Sequence, residues 1–182
     1  NFLSKKKSYN VDIRNKNDIN KVITKISPEI IIHMAAQSKV IDSLNFPVET
    51  FETNFMGTVN ILNVSVKLRK VKTILIITTD KVYENTNKTK KFSENDKLGG
   101  DDPYSASKAS TEIILNYYKK YFPEKKIISV RAGNIIGGGD FGENRIIPDF
   151  IKAWNSKKKL IIRNPKSTRP WQYVLDVLSF YM

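Results

Sequence analysis

Tyr104 and Lys108 stand four apart in the stretch PYSASK. On a helix that spacing puts both side chains on one face. A phenol with its ordinary pKa of about 10 is a poor base near neutral pH. A neighbouring ammonium favours the phenolate and makes it a usable one. Thr79, Asp80 and Lys81 supply a hydroxyl, a carboxylic acid and an amine at the end of the apolar run KTILIITT. Brought to one cleft, the five residues make a proton-handling set. A purely local reading competes with this one: a helix start with an aromatic that packs, a lysine in water, and turn capping by Thr79 and Asp80.

Which reading holds depends on the elements that carry these residues. SYNVDI is a short strand candidate, and NKNDINKVITKI has isoleucine and valine at helical spacing. PEIIIHMAA and KTILIITT are continuous apolar runs of the kind buried in parallel sheets. From Pro47, apolar residues recur at Val48, Phe51, Phe55, Val59, Leu62 and Val66, the steps of a long amphipathic helix with proline in its first turn. Tyr104 to Phe122 reads as a helix stopped by Pro123, and KIISVRA as a further strand. Alternating strands and helices predict an α/β fold with a doubly wound parallel sheet. Right-handed crossovers then bring the strand ends HMAAQS, TTDK and RAGN to one edge of the sheet, where ligands collect. Past Asn134 the pattern predicts an IPDFIKAW helix, a short LIIRN strand and a final WQYVLDVLSFYM helix. The expected division is residues 1–134, a partial dinucleotide-binding domain, and 135–182, the start of a substrate-binding lobe.

The 182 residues suit one domain with a full core, and 40% hydrophobic with 27% charged content is globular. No apolar run is long enough to cross a bilayer, and the opening NFLSKKKSYN has no signal-peptide core, so a cytoplasmic location and no membrane partner are expected. The chain has no cysteine, which excludes disulfides and cysteine metal sites, and no other metal-ligand pattern occurs. A net charge of +13 favours anionic partners, but the lysines are scattered over solvated faces and no nucleic-acid motif accompanies them. No nucleic-acid partner is therefore expected. GGGDFG at Gly137 to Gly142 matches the dinucleotide fingerprint, with Arg163 where an NADP-selective residue would sit. The fingerprint needs a tight strand-to-helix turn, so the stretch reads as a flexible loop. His33, the one histidine, ends a buried strand and reads as structural or cofactor-adjacent. The sequons at Asn63 and Asn87 read as accidental.

Tyr-x-x-x-Lys at 104 and 108, the strand-end threonine, and DIR at Asp12 to Arg14 resemble the extended short-chain dehydrogenase/reductase superfamily. HMAAQSKV, ETFETNFMGTVNIL, TTDKVYEN, RAGNIIGGGDFGENRIIPDFIKAW and IRNPKSTRPWQYVLD are similar to its CDP-glucose 4,6-dehydratase branch over nearly the whole chain. The resemblance implies a Rossmann-type fold and conversion of CDP-glucose to CDP-4-keto-6-deoxyglucose with NAD. Tyr104, helped by Lys108 and Thr79, would take the proton of the sugar 4-hydroxyl. Asp80 would protonate the departing 6-hydroxyl, and Lys81 stands where relatives carry the base for C5, a role open to it only in neutral form. Asp12 and Ile13 would face the adenine; Ala35, Ala36, Gln37 and Asn54 would line or support the cofactor, together with Tyr104 and Lys108. Asn134, Arg145 and Arg169 would meet the sugar nucleotide, guanidinium being suited to phosphate.

The resemblance also implies that a strand, glycine-rich turn and helix precede the first residue and that more of the lobe follows Met182. The 182 residues are thus expected to be part of a longer polypeptide, to bind NAD poorly alone, and to form a homo-oligomer when full length. A nucleotide-sugar 4-epimerase is the competing enzyme reading, which has no use for the Asp80 acid. A binding or scaffolding protein without catalysis is the competing reading from another class.

Overall fold

The structure, a computed structural model, describes residues 7–84 and 91–182. The sequon at Asn87 lies outside the described residues. The chain divides into two units, Asn1–Arg131 and Ala132–Met182.

The first unit is a three-stranded parallel sheet with helices. Its strands are β1 (Ile30–His33), β2 (Thr73–Ile77) and β3 (Lys126–Val130), in the order β1-β2-β3. Ile30 pairs with Thr73, and Thr73 with Lys126, so the strands run in step and end at one edge. Parallel neighbours need helical crossovers. α2 (Val40–Asn45), α3 (Pro47–Phe51), a π-helical turn (Glu52–Met56) and α4 (Gly57–Ser65) join β1 to β2. A 3₁₀ turn (Asp80–Val82) and α5 (Pro103–Tyr121) join β2 to β3. α1 (Lys16–Ile26) precedes β1; Asn15 caps it, accepting from the amides of Asn17 and Asp18, and Ser27 ends it in the left-handed region.

Leu62 and Val66 of α4, Ile74 and Ile76 of β2, Leu115 and Tyr118 of α5, Val71 and Ile127 form one core. Ile61 and Val64 turn to the other side of α4 and meet Ile19 of α1, with Val11 and Ile13 against them. Tyr118 also donates to the Asn63 side chain at 2.9 Å, which commits that amide to the helix–helix seam. Lys125 is buried as well, its ammonium donating to the carbonyls of Leu68 (2.8 Å) and Val71 (2.9 Å) past the end of α4.

Two expectations for this unit need correction. SYNVDI forms no strand: among the described residues it has no ladder partner. Its chain is held instead by Asn60, whose amide donates to the carbonyls of Ile13 and Arg14, and by close packing of Ile13 on Gly57. A Cβ at Gly57 would come within 2.6 Å of the Ile13 side chain, which would have to shift to admit it. The stripe from Val48 to Val66 is also broken. Leu62 and Val66 are buried, but Val48 is 71% exposed, while Thr50, Asn54 and Thr58 are fully buried. The π-helical turn shifts the helix face between the two halves, and the N-terminal half buries small polar groups with partners of their own.

The second unit pairs β4 (Asn134–Ile136) with β5 (Trp171–Tyr173) in parallel, Asn134 opposite Trp171. α6 (Ile146–Asn155) lies between them in sequence, and α7 (Val174–Tyr181) follows β5 directly. LIIRN is not a strand; Ile161 is 86% exposed and the segment runs into a turn at Asn164. WQY, expected to open the last helix, is strand, because β4 offers these aromatic residues a ladder before the helix begins at Val174. The GGGDFG stretch follows β4, but α6 starts only at Ile146, so no helix N-terminus closes the turn. Gly138 and Gly139 face open space, and Asp140 accepts from the Gly142 amide and the Arg145 guanidinium.

Candidate active site

α5 begins in a way that fixes Tyr104. Asp102 is its N-cap, accepting from the Ser105 amide (2.9 Å) and hydroxyl (2.7 Å), and Pro103 takes the first helical position. Tyr104 follows, half-buried, with Lys108 one turn on and buried. The Lys108 ammonium donates to the Ile77 carbonyl at 3.0 Å, which ties the helix to the end of β2. Burial pulls the Lys108 pKa down to about 8, against the charge of Glu112, which favours the ammonium.

The chain leaves β2 through Thr78 and Thr79 and turns at Asp80–Val82. Thr79 caps that turn: its hydroxyl accepts from the Lys81 amide (3.4 Å) and donates to the Asp80 carboxylate (3.1 Å). The turn packs against α5. The Lys81 ammonium lies 6.0 Å from the centre of the Tyr104 ring, the outer limit of a cation–π contact. Thr79, Asp80, Lys81, Tyr104 and Lys108 are thus gathered at the carboxyl end of β2. Lys81 is exposed.

Asn54 sits in the π-helical turn and is fully buried. Its Oδ1 accepts from the Gln37 amide (2.8 Å) and its Nδ2 donates to the Gln37 carbonyl (3.0 Å), gripping one residue's backbone from both sides. The same Nδ2 donates to Ser107 Oγ (3.0 Å), whose hydroxyl donates to the Tyr104 carbonyl (2.7 Å). One amide therefore joins the loop after β1 to the first turn of α5. Ala35 and Ala36 precede Gln37 in that loop with no side chain beyond Cβ. The Gln37 side chain donates to Thr50 Oγ1 and the Lys39 carbonyl.

His33 is buried at the end of β1, its Nε2 3.0 Å from Thr58 Oγ1. The Thr58 proton goes to the Asn54 carbonyl at 2.6 Å, so the imidazole is the donor in that pair. Burial, aided by the Lys108 charge, lowers the His33 pKa to about 4.

The other candidates lie apart from this cluster in sequence. The Asp12 carboxylate is held by Arg14, which lowers its pKa and reaches on to Glu49. In the second unit Asn134 opens β4, its amide donating to the Pro170 carbonyl (3.0 Å). Arg145, just before α6, pairs with Asp140 at 3.2 Å, and Arg169 donates to the Thr168 carbonyl at 2.8 Å. No group of metal-ligating side chains occurs among the described residues. No helix among them is long and apolar enough to cross a membrane.

Residues 2–182 match the NAD dependent epimerase/dehydratase family. The chain belongs to that family. It is 41% identical to CDP-glucose 4,6-dehydratase of Salmonella typhimurium over 94% of its length and 50% of the relative's. It is 33% identical to dTDP-D-glucose 4,6-dehydratase of Dictyostelium discoideum over 96% of its length and 42% of the relative's. Among solved structures, UDP-glucose 4-epimerase of Thermus thermophilus in complex with NAD superposes with a TM-score of 0.84 at 25% identity, covering 98% of this chain and 63% of that one. dTDP-glucose 4,6-dehydratase of Bacillus anthracis in complex with NAD gives 0.80 at 29% identity, covering 93% and 51%. The chain spans about half the length of the curated relatives it matches. The family resemblance and the Rossmann-type parallel sheet read from the sequence both hold.

The donor set at the strand ends fits a dinucleotide. Among the described residues, Lys108 uses one of its three ammonium hydrogens, on Ile77, which leaves donors for ribose hydroxyls. Ala35 and Ala36 let a ligand approach the backbone that Asn54 holds still.

Two residues of this neighbourhood were missed in the sequence. Glu112, one turn beyond Lys108, is buried and bonded to Thr78, Ser129 and Arg131. Its i+4 spacing from Lys108 was the available signal. Arg131 offers no such signal, because its partners are 19 to 48 residues away.

Proposed function

We propose that this chain carries the proton-transfer half of a nucleotide-sugar 4,6-dehydratase, acting on CDP-glucose to give CDP-4-keto-6-deoxyglucose. The observation that carries this is the fixing of a buried Lys108 ammonium on Ile77, one helical turn from Tyr104, with Thr79 and Asp80 on the adjoining turn. Tyr104 as phenolate takes the proton of the sugar 4-hydroxyl, its charge favoured by the ammonium, with Thr79 beside it. Asp80, hydrogen-bonded to Thr79, delivers the proton with which the 6-hydroxyl leaves as water. Removal of the C5 proton, and its return to C5 once C6 has received hydride, is assigned to Lys81, which adjoins Asp80. NAD, when bound, supplies the oxidant for C4 and the hydride that C6 receives. Lys108, Tyr104, the backbone of Ala35 to Gln37, and Asp12 with Ile13 hold and orient it. Asn134, Arg145 and Arg169 take the nucleotide diphosphate, the arginines through paired hydrogen bonds to phosphate.

Dehydration is favoured over 4-epimerisation because an acid stands beside the tyrosine–lysine pair, and because the 41% identical relative is a 4,6-dehydratase. The test uses the full-length polypeptide with NAD and CDP-glucose, dTDP-glucose or UDP-glucose in turn. Formation of the 4-keto-6-deoxy sugar, read by its enone absorbance in alkali, is expected with CDP-glucose and is lost in Tyr104→Phe. Conversion of UDP-glucose to UDP-galactose with no enone would refute the proposal in favour of an epimerase.

A further inference from the structure

A second charged residue on α5, Glu112, joins both ends of the Thr79–Asp80–Lys81 turn to the helix that bears Tyr104 and Lys108. Its carboxylate is buried and receives four hydrogen bonds. Thr78, the residue before the turn, donates to Oε1 at 2.5 Å, and Ser129 of β3 donates to Oε2 at 2.8 Å. Arg131 donates to both oxygens, each at 3.1 Å, as a two-pronged pair. The guanidinium then reaches past the turn. Its Nη1 donates to the Tyr83 hydroxyl (3.0 Å) and the Glu94 carbonyl (2.9 Å), and its carbon lies 5.0 Å from the centre of the Tyr83 ring. That ring stacks on Phe92 with centroids 4.7 Å apart. Burial alone would raise the Glu112 pKa, but the bonds from Arg131, Thr78 and Ser129 outweigh it and keep the carboxyl below its usual range.

We infer that the Glu112–Arg131 pair is a positioning device, which holds the turn carrying Thr79, Asp80 and Lys81 in register with Tyr104 and Lys108. Glu112 fixes the turn through Thr78 on one side, and Arg131 fixes it through Tyr83 on the other. A buried ion pair adds little net stability compared with apolar residues of the same size, so stability alone does not account for it. Displacing an acid by about 1 Å from its reacting atom costs on the order of 100-fold in rate. The inference rests on the proposed assignment of those five residues to proton transfer.

The test uses the full-length protein, and three changes divide the outcomes. E112Q/R131M removes both charges together. It is expected to melt within a few degrees of wild type and to bind NAD as wild type, with kcat lowered about 10-fold or more and KM unchanged. Y83F removes one hydroxyl at the far end of the network and is expected to lower kcat about 3-fold or more at unchanged melting temperature. It also serves if the double variant does not fold. Amide hydrogen exchange should quicken at residues 79–83 in both, with the rest of α5 unaffected. Wild-type kcat in Y83F would overturn the inference, as would wild-type kcat in folded E112Q/R131M or a loss of kcat that only tracks loss of folded protein. Y104F, run in parallel, separates the two readings: activity in Y104F sinks the proton-transfer assignment itself, whereas an inactive Y104F beside a fully active Y83F and E112Q/R131M sinks only the positioning role.

Discussion

Replacing His33 with glutamine should remove an acid sensitivity from the fold. The imidazole is buried, donates through Nε2 to Thr58, and has its pKa lowered from 6.5 to about 4. Between those values the unfolded chain binds a proton that the folded chain refuses. Stability therefore rises with pH across the window, is fully present above pH 6.5, and is lost as pH falls toward 4. A displacement of that size corresponds to about 3 kcal/mol in total, of which about 2 kcal/mol is gone by pH 5. That is a large share of the 5–15 kcal/mol by which domains are usually stable. Glutamine places an amide N–H near the position of Nε2, so H33Q keeps the donor for Thr58 but cannot be protonated. Urea unfolding of wild type and H33Q at steps from pH 7.5 to 5 gives the difference directly. The carboxylates with lowered pKa, Asp12, Glu112 and Asp140, titrate mostly below this range and are common to both proteins. The wild type should lose about 2 kcal/mol more than H33Q over those steps. The chain has one histidine, so its ring resonance needs no assignment and reports the same titration by NMR. Parallel stability curves, or a ring pKa near 6.5, would refute both the burial and the hydrogen-bond direction described for His33.

Lys108→Met should abolish turnover yet leave the protein at least as stable at pH 7, because burial disfavours the ammonium below its pKa of about 8. In wild type, stability should rise from about pH 8 to 10.5 as the unfolded chain alone stays protonated, and that rise should be absent in the variant's urea midpoints. Asn54→Ala removes both bonds to the Gln37 backbone and the bond to Ser107, and should cost about 2–4 kcal/mol in urea unfolding while weakening NAD binding in the full-length protein. Lys125→Met strips the buried Val71 carbonyl of its ammonium donor and leaves Leu68 with the Val71 amide alone, and should cost about 1–3 kcal/mol; an unchanged midpoint would mean that water replaces the ammonium.

What could be read from the residues was whatever repeats over a few positions. β1 and β2 lie in continuous apolar runs, β3 in the mostly apolar KIISVRA, and α5 is stopped by Pro123. Tyr104 and Lys108 were legible for the same reason, as an i, i+4 pair, and Thr79 to Lys81 as the residues next after an apolar run. The supports for that site follow no period. Asn54 is buried against Gln37 and Ser107, which lie 17 and 53 positions away, and the π-helical turn that aims it there has no apolar signature. A helix face built of Thr50, Asn54 and Thr58 reads as solvent-exposed by composition, and the stripe through Val48 as the inward one. Arg131 meets Tyr83 across 48 residues. Residues 8–13 failed in the opposite sense: the composition suits a strand, but a strand exists only where a neighbour accepts its ladder, and here Asn60 and Gly57 receive the segment instead. Local spacing therefore discloses which groups could react, while the polar contacts that hold them together become visible only when distant segments are seen together. That division makes Glu112, rather than any residue of the motif itself, the sharper probe of whether this fold positions Asp80 for catalysis.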